Sequence, residues 1–217
     1  MKKPGYHGME SQQASMKKKE GHRREYIRLS QLGEGAEIVK GNGKVDIIRP
    51  DGKKESVKGG NRTQWALYSE ERINESKLSN EGKLVFSNWI NFLPKNKEEY
   101  LKTPKQFSQN TNVVDLYNVF KDNPMELIKY FCGYDDIDYY VLMDKRDNTQ
   151  MVINKNEFFD KIEKSIKRVY TTPGGKLSIA GGNKDVLLFE LELRKGKNSH
   201  RGVLFVSTLK QIIDLFK

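Results

Sequence analysis

One stretch of the chain limits its fold more than any other: Lys44-Val-Asp-Ile-Ile-Arg-Pro-Asp-Gly-Lys-Lys-Glu-Ser-Val-Lys58. Val45, Ile47 and Ile48 are β-branched, and Pro50-Asp51-Gly52 is turn chemistry, so the segment reads as a β-hairpin. With a three-residue loop and Gly52 in the left-handed position, Arg49 faces Lys53, Ile47 faces Glu55 and Asp46 faces Ser56. Side chains alternate along a strand, so Lys58 shares a face with Ser56 and lies diagonal to Asp46. Asp46, Ser56 and Lys58 are therefore expected to converge on one face, with Ile47, Glu55 and Val57 on the other. A carboxylate beside a lysine on neighbouring strands suits metal-dependent phosphodiester hydrolysis. The carboxylate holds a divalent cation, and the lysine steadies the attacking water and the developing negative charge.

Charge is the next constraint. The chain carries 39 basic and 29 acidic residues, a net charge of +10. That balance favours a polyanionic partner, because lysines and arginines that neutralise phosphates release counterions. A length of 217 residues with 36% hydrophobic content allows one good-sized domain, or one domain with an appended subdomain. The single cysteine, Cys132, excludes an intrachain disulfide and a cysteine-based zinc site, and fits a reducing cytoplasm. It lies in the apolar run from Leu127 and reads as a core residue. No apolar run approaches a membrane span or a signal-peptide core, so a cytoplasmic protein without a membrane partner is expected.

Around the hairpin, residues 1–18 read as a flexible basic arm. A helix is expected from Glu20, with Tyr26, Ile27, Leu29 and Leu32 as its apolar face and Gly33 and Gly35 as its stop. Ala36 to Lys40 reads as a short strand. Gly59-Gly60 ends the second hairpin strand, and Asn61-Arg62-Thr63 is expected to start a helix carrying Trp65, Leu67, Tyr68 and Ile73. Helical spacing continues from Lys83 to Cys132, broken near Pro94, Pro104 and Pro124. Strands are expected at Tyr139–Met143, Gln150–Ile153, Lys176–Ala180, Val186–Arg194 and Gly202–Val206, with helices opening at Asn156 and Thr208. The fold class is α/β or α+β: a mixed β-sheet flanked by helices.

The order of chemistry-bearing residues is a helix with Glu25, a strand, a strand with Asp46, a strand with Lys58, then Gln64 early in the next helix. This order resembles the PD-(D/E)xK nuclease superfamily, over about residues 20–75. Within it, the segment looks most like archaeal Holliday junction resolvases and small type II restriction endonucleases. The resemblance implies a restriction-endonuclease-like core of about residues 20–80 in a single domain of residues 19–217. Recognition and dimerisation elements would then occupy about residues 83–217. It implies Mg2+, with Mn2+ as a substitute. Asp46 would be the central metal ligand, Glu25 would hold metal or water, Lys58 would be the catalytic lysine, and Gln64 would contact metal-site water or phosphate.

One position departs from the pattern. The superfamily has Glu or Asp two residues before the lysine, and this chain has Ser56 there. A subset of restriction endonucleases has Ser-x-Lys and takes the acid from elsewhere in the fold. Here the substitute would be Glu25, Glu70 or Glu71, or Glu55 if a bulge rotates the strand. The expected catalytic set is thus Glu25, Asp46, Ser56, Lys58 and Gln64, and the expected metal ligands are Asp46, Glu25 and Glu55. The literal Pro50-Asp51 lies inside the turn and cannot pair with Lys58.

A second expected site is the loop between two late strands, with Arg194, Lys195, Lys197, Asn198, His200 and Arg201, joined by Arg62. Arg and Lys pair with guanine edges, Asn pairs with adenine, and all of them reach phosphate. His22 and His200 are isolated and have no metal-ligand spacing, and Gly41-Asn-Gly43 lacks the residues that would make it a phosphate loop. The implied function is a Mg2+-dependent, sequence-specific endonuclease of double-stranded DNA, a type II restriction enzyme acting as a homodimer. The alternatives are a junction resolvase or repair nuclease, and a DNA-binding module whose nuclease core has decayed, which Ser56 keeps open.

Overall fold

In the computed structural model, residues 11–41, 43–91, 98, 113–146, 149–173, 175–194 and 202–217 are described. They build two five-stranded sheets with helices around them, a mixed α+β fold. The first sheet comprises β1 (Glu37–Ile38), β2 (Ile47–Ile48), β3 (Lys54–Gly59), β5 (Tyr139–Met143) and β6 (Gln150–Asn154), in that spatial order. Its pairings are antiparallel except β3 with β5, which run parallel with Lys58 opposite Leu142. A parallel pair needs a long crossover. The crossover here contains β4 (Arg62–Tyr68) and the helices α2 (Glu70–Asn74), α3 (Asn80–Asn91), α4 (Val113–Phe120) and α5 (Pro124–Cys132). The second sheet is antiparallel throughout. Its order is β4, β10 (Gly202–Thr208), β9 (Val186–Arg194), β8 (Leu177–Gly181) and β7 (Ile166–Thr171). The remaining helices are α1 (Ser11–Leu32), α6 (Lys155–Ser165) and α7 (Leu209–Asp214).

The main core joins the two sheets through aromatic rings. Trp65 of β4 packs 5.8 Å from Tyr140 of β5 and 5.7 Å from Phe158 of α6, and Phe131 of α5 stacks 5.0 Å from Phe205 of β10. Trp65 brings a polar N–H into this core, and Nε1 donates to the buried Ser207 Oγ at 2.7 Å. A smaller cluster on the other face of the first sheet consists of Ile47, Val57 and Val141, with Leu32 of α1 packed against it.

Three expectations change here. The helix expected from Asn61 is strand β4. Gly60, at φ 104°, lets the chain turn out of β3, and β10 supplies the ladder partner. The register of β4 slips between Phe205 and Val206, so Trp65 and Ala66 are both buried although consecutive. That slip erases the alternation by which a strand is recognised. Helix α1 begins at Ser11 rather than Glu20, so it takes in residues 11–18 of the expected arm. Its packed side also differs, since Tyr26 and Ile27 are 63% and 42% exposed while Arg28 is buried. The reason is what the sheet presents to it: a buried carboxylate and a strand-end carbonyl, both of which arginine satisfies. Strand β7 has no counterpart among the expected elements.

Candidate active site

The hairpin closes as its turn residues dictate. Gly52 has φ 78°, its N–H donates to Arg49 O at 2.9 Å, and Arg49 N–H donates to Lys53 O at 2.8 Å. Ile47 pairs with Glu55 and Ile48 with Lys54. Asp46 lies one residue before β2, and its own N–H donates to Glu55 O at 2.9 Å. Its carboxylate then takes the next donors along β3. Oδ2 accepts from Val57 N–H at 2.7 Å, Lys58 Nζ at 2.9 Å and Ser56 Oγ at 3.1 Å. All three bonds fall on one oxygen. Among the described residues Oδ1 has no partner. The Asp46 and Lys58 side chains are 19% and 14% exposed, so the pair is partly desolvated but reachable. Lys58 Nζ also lies 6.0 Å from the centre of the Trp65 ring, which walls the site on one side.

Helix α1 holds this strand from its opposite face. Glu55, between Lys54 and Ser56, is fully buried. Arg28 grips it with two parallel bonds, Nε to Oε2 at 2.8 Å and Nη2 to Oε1 at 2.7 Å, and Arg49 Nη1 reaches Oε1 at 3.3 Å. One turn earlier, Arg24 Nη1 donates to Gly59 O at 3.2 Å, beside Lys58. A Cβ on Gly59 would stand 2.6 Å from Arg24 Cδ and Nε, so a larger residue there would push the Arg24 side chain off its carbonyl.

The structure therefore brings Asp46, Ser56 and Lys58 together at the hairpin. Glu55 cannot serve as a metal ligand, because both its oxygens belong to arginines on the far face of β3. Glu25 sits on α1, which packs against that far face, and Oε2 bonds His22 Nδ1 at 3.1 Å. Gln64 is exposed on strand β4 rather than in a helix. Glu70 and Glu71 open the short helix α2, after β4. Among the described residues, no three His, Cys, Asp or Glu side chains gather as a metal site. Arg62, expected at DNA, is half-exposed, pairs with Glu190 and lies 3.8 Å from Glu192. Lys176 bridges the same two acids at 2.9 and 2.7 Å. The Arg194 side chain and Lys195, Lys197, Asn198, His200 and Arg201 lie outside the described residues.

Arg24 and Arg28 were absent from the expected site, although their spacing of four residues and the inward register of Glu55 were available signals. Lys44 was absent too. It is half-buried near the rings of Tyr68 and Tyr130, and that burial pulls its ammonium pKa below the ordinary lysine value.

No family model matches the chain, and no curated protein matches it. Among solved structures, it is similar to the restriction endonuclease MspI in complex with its cognate DNA. The identity is 13%, the match covers 87% of this chain and 78% of that one, and the TM-score is 0.39. It is also similar to HhaI endonuclease in complex with DNA, at 9% identity over 92% of this chain and 96% of that one, with a TM-score of 0.38. No helix among the described residues is long and apolar enough to cross a membrane.

Proposed function

We propose that this chain is a Mg2+-dependent, sequence-specific endonuclease of double-stranded DNA, acting as a homodimer in the manner of a type II restriction enzyme. The observation that carries the reading is the Asp46–Lys58 pair at 2.9 Å, with the three bonds to the carboxylate from described residues all on Oδ2. The net charge of +10 supports a polyanionic substrate.

The donor set fits the cation in a restricted way. Mg2+ is commonly held by one or two carboxylates, with water and substrate phosphate completing the shell. Asp46 Oδ1 is a carboxylate oxygen of that kind, and Asp46 is the only acid among the three side chains converging at the hairpin. Bound there, the cation would lower the pKa of a water and offset charge on the phosphate. Ser56 Oγ and Val57 N–H, both donating to Oδ2, hold the carboxylate in one orientation. The Lys58 ammonium has further N–H groups beyond the one given to Asp46. It donates them to the attacking water and to the phosphoryl oxygen that gains charge.

A second reading is a DNA-binding module with a decayed core. Ser56 in place of an acid, and the commitment of both Glu55 oxygens to Arg28 and Arg49, favour it. One experiment separates the readings: plasmid, long linear duplex and branched DNA incubated with Mg2+, with a chelator control. Discrete bands from the linear duplex support the restriction reading. Cutting confined to branched DNA indicates a resolvase, and binding without cutting in Mg2+ or Mn2+ indicates a decayed core.

A further inference from the structure

Beside the hairpin lies a cavity of about 480 Å³ whose lining includes Lys44, Tyr68, Tyr130, Tyr134, Asp135 and Asp136. Its volume falls in the range of roughly 300–1,000 Å³ typical of small-molecule sites. Lys44 organises the wall. Nζ donates to the Tyr130 carbonyl, lies 4.5 Å from the Tyr130 ring centre and 5.6 Å from that of Tyr68, and is 3.9 Å from Asp136 Oδ2. Room for the lysine stem comes from Gly133, the left-handed C-cap of α5, where a Cβ would stand 2.7 Å from Lys44 Cδ. Burial pushes the Tyr68 and Tyr130 phenols both above the ordinary tyrosine value.

The cavity adjoins the hairpin site. Lys44 is two residues before Asp46. The buried Cys132 feels the charges of both Lys44 and Lys58. Tyr68 ends the strand whose Trp65 ring walls Lys58.

Its chemistry narrows the ligand. Among the described residues its wall carries four carboxylates, Glu75, Glu126, Asp135 and Asp136, against three ammonium groups, Lys44, Lys77 and Lys129, a balance that disfavours a phosphate inside. The carboxylates accept from amino groups, while Lys44 donates to a carbonyl or ring nitrogen. The tyrosine rings offer carbon surface to a flat molecule. A planar heterocycle carrying an exocyclic amine meets all three conditions. We propose that this cavity receives a nucleobase bearing an exocyclic amino group, taken unpaired from a DNA strand next to the phosphate held at Asp46 and Lys58. Enzymes that extrude a base read it by its hydrogen-bonding edge and hold it among aromatic side chains. The inference rests on the DNA reading above for the source of the base.

The test uses the full chain and free nucleosides. Saturation-transfer NMR with adenosine, cytidine and thymidine should show transfer to adenosine and cytidine and little to thymidine, which has no exocyclic amine. Asp136→Asn should weaken adenosine binding about tenfold, the scale of one charged hydrogen bond, and Asp46→Ala should leave it unchanged. Adenosine should also displace a duplex with one bulged adenine more readily than a fully paired duplex. No transfer from any nucleoside, equal transfer from thymidine, or binding that does not compete with the bulged duplex would each overturn the proposal. Lys44→Met is a second variant should Asp136→Asn unfold, and retained adenosine affinity in it would count against the site. Nucleoside binding does not depend on cleavage. A chain that passes these tests but never cuts DNA overturns the nuclease reading alone, and one that cuts without binding nucleosides overturns the cavity alone.

Discussion

Strand β3 carries two acid–base pairs on opposite faces, and their differences separate scaffold from site. On one face Arg28 and Glu55 meet at 2.7 Å, with side chains 11% and 0% exposed. On the other, Lys58 and Asp46 meet at 2.9 Å, at 14% and 19% exposure. The contrast lies in what happens to the remaining valences. Arg28 bonds both Glu55 oxygens, Arg49 adds a third bond, and nothing is left to offer a ligand. Asp46 receives its three bonds from described residues on Oδ2 alone. A filled buried pair fixes geometry, while a pair with a spare oxygen at a reachable surface can also bind. The two are linked mechanically, because the strand that the arginines hold is the one that presents Ser56 and Lys58.

The largest effects should come from the reachable pair. Asp46→Ala should lower DNA cleavage at least about 100-fold while circular dichroism and melting stay near wild type. Lys58→Ala should match it in cleavage yet leave DNA affinity nearly intact, because one cation among many phosphate contacts costs little. Wild-type cleavage by folded Asp46→Ala would break the distinction between the two faces. Next comes the filled pair. Arg28→Ala leaves the buried Glu55 carboxylate with only the longer Arg49 contact and should cost about 3 kcal/mol in urea denaturation. The double change Arg28→Met with Glu55→Leu should regain most of that loss, and failure to regain it would mean that the pair does more than satisfy itself. Gly59→Ala is milder: its methyl displaces the flexible Arg24 side chain, for a cost of about 1–2 kcal/mol and a modest loss of cleavage. Glu25→Gln should be the smallest, below about 1 kcal/mol in stability with cleavage little changed, because its partner is the neighbouring, exposed His22. A large loss of cleavage there would restore Glu25 to the metal site.

How much of this could be read beforehand depends on the range of the interactions. The hairpin register was readable to the residue, since β-branched residues, Pro50 and a left-handed Gly52 act within a dozen positions. The convergence of Asp46, Ser56 and Lys58 follows from that register and strand alternation alone. Strand β4 was not readable. Its identity depends on β10, which pairs Ala66 with Phe205, and its slipped register buries neighbours that alternation would separate. The role of Arg28 was only half legible: the inward register of Glu55 was in the sequence, but its partner lies 27 residues away on a helix face that looks polar in isolation.

The amino-acid sequence by itself determined the hairpin, the face on which an acid and a lysine meet, and the basic character that favours a polyanion. Those features come from local backbone preference, side-chain alternation and summed charge, none of which needs distant contacts. Only the tertiary structure decided that Glu55 is scaffold, that Arg62 pairs with acids on its own sheet, and that Lys44 lines a tyrosine-walled cavity. Each depends on which groups satisfy a charge once water is removed, and that is set when strands and helices far apart in the chain come into contact.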